Sequence, residues 1–191
     1  MSSQPLPFVT PEEYLAAERK AERRSEYLNG EVFAMAGASR RHVQISGNLI
    51  TTLNNQLKGR DCDVYATELR VRVNPKGNYL YAYPDVSVVC GESKFEDERF
   101  DTLLNPKVII EILSPSTEPF DRGKKFTLYR QIDSLAEYLL IAQDETRVEQ
   151  YVRQPGGDWV LSERTGLDDA VTLPSLGLNL KLSDIYYRVS F

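Results

Sequence analysis

The sequence predicts a mixed α/β (α+β) domain, a β-sheet flanked by helices, from three observations. Val86–Val89 and Val108–Leu113 are short β-branched runs without polar alternation, as in strands buried on both faces. Residues 39–57 combine a Ser cap with apolar positions near one helical face. The length of 191 residues, with 41% hydrophobic and 27% charged, suits one domain with a sizeable core and not two.

The elements follow in order from local signals. Thr10-Pro11-Glu12-Glu13 is a helix start: Thr10 as N-cap, Pro11 in first position and Glu13 closing a capping box. That helix is expected to run to about Glu22. Ser25–Leu28 and Glu31–Ala36 flank Asn29-Gly30, a hairpin turn of type I′. Ser39 caps a second helix through about Leu57, with Val43, Leu49, Ile50, Leu53 and Leu57 near one face. Strands read at Asp63–Ala66, Leu69–Val73, Tyr79–Tyr83 and Asp85–Val89, with a turn at residues 74–78. Residues 91–106 are polar and read as a mobile loop. After the strand Val108–Leu113, a helix is expected from about Asp121 to Ile132. Strands follow at Glu137–Ala142, Val148–Val152, Trp159–Ser162 and Leu178–Leu182, then a last helical turn at Ser183–Tyr187. All of these are expected to form one mixed sheet.

Composition narrows the function classes. No run of about 18 apolar residues exists, which argues against a membrane-spanning helix. The first residues lack the basic and apolar regions of a secretion leader. Cys62 and Cys90, in strand-like surroundings without a CxxC pair, are expected to be reduced core thiols in a cytoplasmic protein, not a bridge or a zinc site. His42 is the only histidine, so no site can need two. The net charge of −5 argues against a protein that coats nucleic acid electrostatically. It is compatible with an enzyme that holds one phosphate at a metal between carboxylates.

Two acids stand where folding alone would place aliphatic side chains. Asp85 heads Asp-Val-Ser-Val-Val-Cys, and Glu111 interrupts Val-Ile-Ile-Glu-Ile-Leu. A carboxylate buried in such a strand must be paired, protonated or metal-bound, because desolvating it alone is costly. Hard cations such as Mg²⁺ take one or two carboxylates plus phosphate and water. Asp85, Glu111 and a strand carbonyl such as that of Ile112 fit that need. Downstream, Asp121, Lys125 and Tyr129 recur every four residues and can share one helix face.

The ordered set of Tyr83-Pro84-Asp85, Glu111-Ile112-Leu113-Ser114-Pro115-Ser116-Thr117 and Asp121-Arg122-Gly123-Lys124-Lys125 with Tyr129 resembles the PD-(D/E)xK nuclease superfamily. More narrowly, it is similar to the Uma2-like group of restriction endonucleases. Ser25–Glu31 and Arg41-His42 match as well, so the resemblance covers most of the chain. Leu113 stands where the superfamily usually has its lysine; in the Uma2-like group the lysine lies on the following helix, which maps to Lys125. Leu139 replaces a frequent tryptophan at a packing position. The resemblance implies a restriction-endonuclease-like fold over residues 1–191: an N-terminal helix (1–22), a catalytic core (25–142) and C-terminal strands (143–191). It also implies DNA as substrate, Mg²⁺ or Mn²⁺ held by Asp85 and Glu111, assistance from Lys125, and a homodimer. Glu26 and Glu31 become site-adjacent, with Glu31 a candidate third metal-shell acid.

Each of these residues also has a plainer role. Asp85 can cap the turn after Pro84, and Asp121 can cap its helix. Glu111 can form a structural ion pair with Lys125 or Arg122. Lys124 reads as surface charge, and His42 as a capping or phosphate-side group. The main rival function is a non-catalytic relative of the same fold that binds nucleic acid or protein.

Overall fold

Pro84 divides the strands between two sheets. It has no N–H to give a ladder, and the run from Leu80 to Cys90 changes sheets across it. The computed structural model describes residues 8–74 and 77–191. The expected lack of a leader and the centre of the 74–78 turn lie outside the described residues.

In chain order, α1 (Pro11–Glu18) precedes the hairpin β1 (Ser25–Leu28) and β2 (Glu31–Ala34), then α2 (Arg40–Leu57). Strands β3 (Cys62–Ala66), β4 (Arg70–Val73), β5 (Leu80–Ala82), β6 (Val86–Cys90), β7 (Thr102–Leu103) and β8 (Val108–Leu113) follow. A continuous helical segment comprises α3 (Glu118–Phe120), a π-helical turn (Asp121–Lys125) and α4 (Phe126–Tyr129). The chain ends with β9 (Glu137–Ala142), β10 (Val148–Arg153), β11 (Trp159–Arg164), β12 (Ala170–Leu173), β13 (Leu178–Lys181) and α5 (Leu182–Ile185).

The fold class is mixed α+β, but among the described residues the expected single sheet is three. A six-stranded mixed sheet runs β11-β10-β9-β8-β6-β3, a five-stranded sheet runs β2-β1-β5-β4-β7, and β12 pairs with β13 alone. In the six-stranded sheet only β8 and β9 are parallel, joined by the helical segment as a crossover. Alternation along β8 sorts the core. Val108, Ile110 and Ile112 pack with Ile45, Leu49, Leu53 and Leu57 of α2 and with β12, β13 and α5. Ile109 and Leu113 pack on the other face with Val71, Leu80 and Leu103 of the second sheet and with Leu128 and Tyr129. Glu111 points to this second face, into the seam between the sheets.

Several boundaries differ from the sequence reading. The Thr10–Glu13 capping box forms as expected, but α1 stops at Glu18, whose carboxylate accepts from Ser25 N and Oγ and from Tyr83 Oη. Val43 is exposed and Ile45 buried in its place: strict i+4 spacing from Ile45 to Leu57 sets the apolar stripe, and Val43 falls about 200° away. Residues 91–106 are anchored. Thr102 and Leu103 are buried in β7 beside β4, and Arg19 grips both Asp97 and Asp101. Strand β12 is unexpected: Asp168-Asp169 before it and Pro174 after it read as turn. Cys62 and Cys90 are joined by a disulfide, against the expectation of free thiols. The β3–β6 register sets the two directly opposite each other, which no spacing rule reveals, and the bridge removes the ground for expecting a cytoplasmic setting. No helix among the described residues is long and apolar enough to cross a membrane.

Candidate active site at the seam between the sheets

Five elements bring their polar side chains to the point where the chain passes Pro84. Asp85 precedes β6, and extending the β6–β8 register by one residue past Val86↔Ile110 sets it opposite Glu111. Its Oδ2 accepts the Ile112 backbone N–H at 2.7 Å, so the head of β6 is pinned to the middle of β8. Its Oδ1 accepts from His42 Nε2 at 2.7 Å. His42 is brought there by the start of α2, where Ser39 Oγ accepts the His42 backbone N–H.

Glu111 is 3% exposed. Its Oε1 accepts from Lys125 Nζ and from Tyr129 Oη, both at 3.1 Å, whereas Oε2 takes no hydrogen bond from any described residue. Lys125 stands 3.0 Å from Glu26 Oε1 and 3.2 Å from Asp121 Oδ1. Glu26 arrives from β1 and also accepts the Tyr83 backbone N–H. The π-helical turn holds Asp121 and Lys125 buried on one side while Lys124 is exposed; such turns recur at functional sites. Asp121 Oδ1 is buried and makes no hydrogen bond of good geometry despite its nearness to Nζ.

One ammonium therefore faces three carboxylates, and Asp85 adds a fourth negative charge near Glu111. Burial pushes the Glu111 carboxyl well above the usual carboxylate range; Lys125 draws it back, and Asp121, Asp85 and Glu26 push it further up. Burial works against the Lys125 charge, but Glu111, Glu26 and Asp121 outweigh it and hold the ammonium well above its ordinary value. Burial also raises the Tyr129 hydroxyl, which stays protonated and donates.

Of the residues singled out from sequence, Asp85, Glu111, Lys125, Glu26, His42, Asp121 and Tyr129 meet here. Glu31 does not. It shares a face with Glu26, being opposite Leu28, but is exposed on the edge strand and forms no ion pair among the described residues. Arg122, the other candidate partner of Glu111, instead pairs with Glu118 and Glu149. One contributor is invisible in sequence: buried Gln143 donates to the Leu113 carbonyl at 2.7 Å and accepts from Ser39 Oγ, tying the α2 cap to the end of β8. A lone glutamine after a strand carries no signal of such a role.

Among the described residues no group of three or more His, Cys, Asp or Glu is arranged around one point as a metal site. The carboxylates are spread around the Lys125 ammonium. The donor set is nonetheless of the kind a hard divalent cation takes: oxygen-only, in negative excess, with Glu111 Oε2 uncommitted.

The same architecture recurs in known proteins. A crystal structure from Anabaena variabilis ATCC 29413, described as a "putative nuclease belonging to DUF820", superposes with a TM-score of 0.76 at 24% identity, covering 93% of this chain and 97% of that one. The Uma2 family, described as "Putative restriction endonuclease", matches residues 11–183, and the chain belongs to it. Relatives in Synechocystis sp. (strain ATCC 27184 / PCC 6803 / Kazusa) include the uncharacterized protein slr1290, 36% identical over 99% of this chain and 97% of its own length. Another is the uncharacterized protein sll1609, 37% identical over 83% of this chain and 89% of its own.

Proposed function

We propose that the protein is a divalent-metal-dependent endonuclease that hydrolyses DNA phosphodiester bonds at Asp85 and Glu111. The observation that carries this reading is Glu111: a nearly fully buried carboxylate in the middle of an apolar strand, one oxygen uncommitted, with a second carboxylate in register beside it. Membership of a family described as restriction endonucleases supports the reaction class. Asp85 and Glu111 are the residues that would hold Mg²⁺ or Mn²⁺, which in such a site polarises the phosphoryl oxygen and acidifies water.

The chain's own groups have distinct parts. The Ile112 N–H and His42 fix the Asp85 carboxylate in one orientation. Lys125, kept cationic by its carboxylate neighbours, is an electrostatic donor to charge building on the phosphate, not a base for the water. Tyr129 and Asp121 set where Lys125 and Glu111 point. Cutting both strands of a duplex requires two such sites, which a homodimer supplies.

A second reading is favoured by one observation: Lys125 is already satisfied by three carboxylates, as in a structural ion-pair network of a non-catalytic relative. Titrating Mn²⁺ while following the melting temperature separates the two. The nuclease reading expects a metal-dependent rise in melting temperature, reflecting about 2.7 kcal/mol of added stability at a hundredfold excess over Kd, lost in Asp85→Asn and Glu111→Gln. An unchanged melting temperature in the wild type favours the structural network.

A further inference from the structure

A polar cleft of about 410 Å³ lies against Tyr83, two residues before Asp85. Four of its lining residues are arginines (Arg19, Arg24, Arg70 and Arg99), set against only two acids, Glu68 and Asp101. Asp97 also pairs with Arg19 and Glu18 accepts from Tyr83 Oη, so the room for an anion lies at Arg99 and at Arg24, whose partner Glu68 is exposed. Tyr83 links the cleft to the carboxylate centre: it lines the cleft, its backbone N–H is held by Glu26, and Asp85 lies two residues on. Two residues of extended chain span roughly 6–7 Å, and nucleic-acid phosphates advance about 3.4 Å along the axis per nucleotide of a strand. A backbone seated at Asp85 and Glu111 would therefore carry neighbouring phosphates past this cleft.

The cleft has the makings of an anion site. Arg70 is 2% exposed, with Nε on Thr102 and Nη1 on Tyr83 Oη. Its buried Nη2 lies 2.7 Å from Asp101 Oδ2 yet makes no hydrogen bond of good geometry. Arg24 and Arg70 lie 5.7 Å from the Tyr83 ring centre, which steadies both guanidinium groups. Arg24 spends Nε and Nη2 on Glu68, an exposed pair that an incoming anion can displace. The Arg99 side chain is exposed and makes no hydrogen bond or ion pair among the described residues. A planar guanidinium suits a phosphate's paired oxygens.

We propose that this cleft binds a phosphate of the nucleic-acid backbone flanking the one held at Asp85 and Glu111. The inference deepens the nuclease reading and rests on it for the nature of the ligand. Residues 91–106 then gain a purpose: the Arg19 clamp on Asp97 and Asp101 holds Arg99 at the mouth of the cleft.

The test uses the full chain, a fluorescent DNA duplex and metal-free buffer over a salt series. The double variant Arg24→Ala/Arg99→Ala changes a half-buried and an exposed residue, and a thermal melt checks that it is folded. The slope of log affinity against log salt should shrink by about 1, the signature of one lost phosphate contact. Arg24→Lys/Arg99→Lys should restore most of it. An unchanged slope, with wild-type cleavage intact, overturns the cleft and leaves the nuclease reading standing. A reduced slope in a protein that never cuts DNA supports the cleft while the nuclease reading fails. If inorganic phosphate raises the melting temperature through these arginines but no duplex binds, the backbone assignment is wrong and the cleft serves a free anion.

Discussion

Removing the Lys125 ammonium leaves Glu26, Glu111 and Asp121 gathered without a cation. Stripping a buried charge of its partner typically costs about 3–5 kcal/mol, and protonation of Glu111 places the expected loss toward the low end. Lys125→Met should therefore unfold at clearly lower urea, whereas Lys124→Met, at an exposed neighbour, should stay within about 0.5 kcal/mol of wild type. Equal effects would show that position within the segment is immaterial. Glu111 behaves in the opposite sense. Its folded carboxyl binds its proton more tightly than the unfolded chain does. Its contribution to stability is complete below the ordinary carboxylate value and is lost as pH rises through the raised folded value. In chelator, wild type should lose melting temperature over that rise, and Glu111→Gln should flatten the loss and melt slightly higher at neutral pH. A variant that melts several degrees lower throughout would make Glu111 a paired structural residue.

At the scale of elements, the β7 region makes its own prediction. Hydrogen bonds from Arg19, opposed by partial burial and aided by Arg70, hold the Asp101 carboxyl well below its ordinary value. A depressed folded value means that this stabilisation is complete above the ordinary 3.8 and is lost as pH falls below it. Asp101→Asn should speed hydrogen exchange of the amides around Thr102 and Leu103 at neutral pH, and acidification should add little more. Unchanged exchange would mean that burial of Leu103 alone anchors the segment. This anchoring was not legible in the sequence, because residues 91–106 are held by distant arginines, Arg19 just after α1 and Arg70 of β4. Caps, the Asn29-Gly30 turn and the apolar runs were legible because their causes lie within a few residues. The π-helical turn was not, since Asp121, Lys125 and Tyr129 suggest a shared face at ordinary helical spacing too.

Over the whole molecule, the site was more legible than the architecture around it. Acids inside apolar strands announce themselves because burying a charge demands a reason. The division into two sheets at Pro84 depends on pairing that no local pattern records, as does the opposition of Cys62 and Cys90. The same holds for His42 on Asp85, Glu26 on Lys125 and Gln143 behind β8: each contact joins elements far apart in sequence. The central claim is that the seam between the sheets is a catalytic centre built on Asp85 and Glu111. The most direct test is cleavage of a DNA duplex by the full chain with Mn²⁺ or Mg²⁺, comparing wild type with Asp85→Asn and Glu111→Gln after melts confirm that all three are folded. The account predicts metal-dependent cutting by wild type, abolished by chelator, and a loss of at least about 10²-fold in each variant. Folded wild type that cuts no duplex with either metal, or variants that cut as well as wild type, would contradict it.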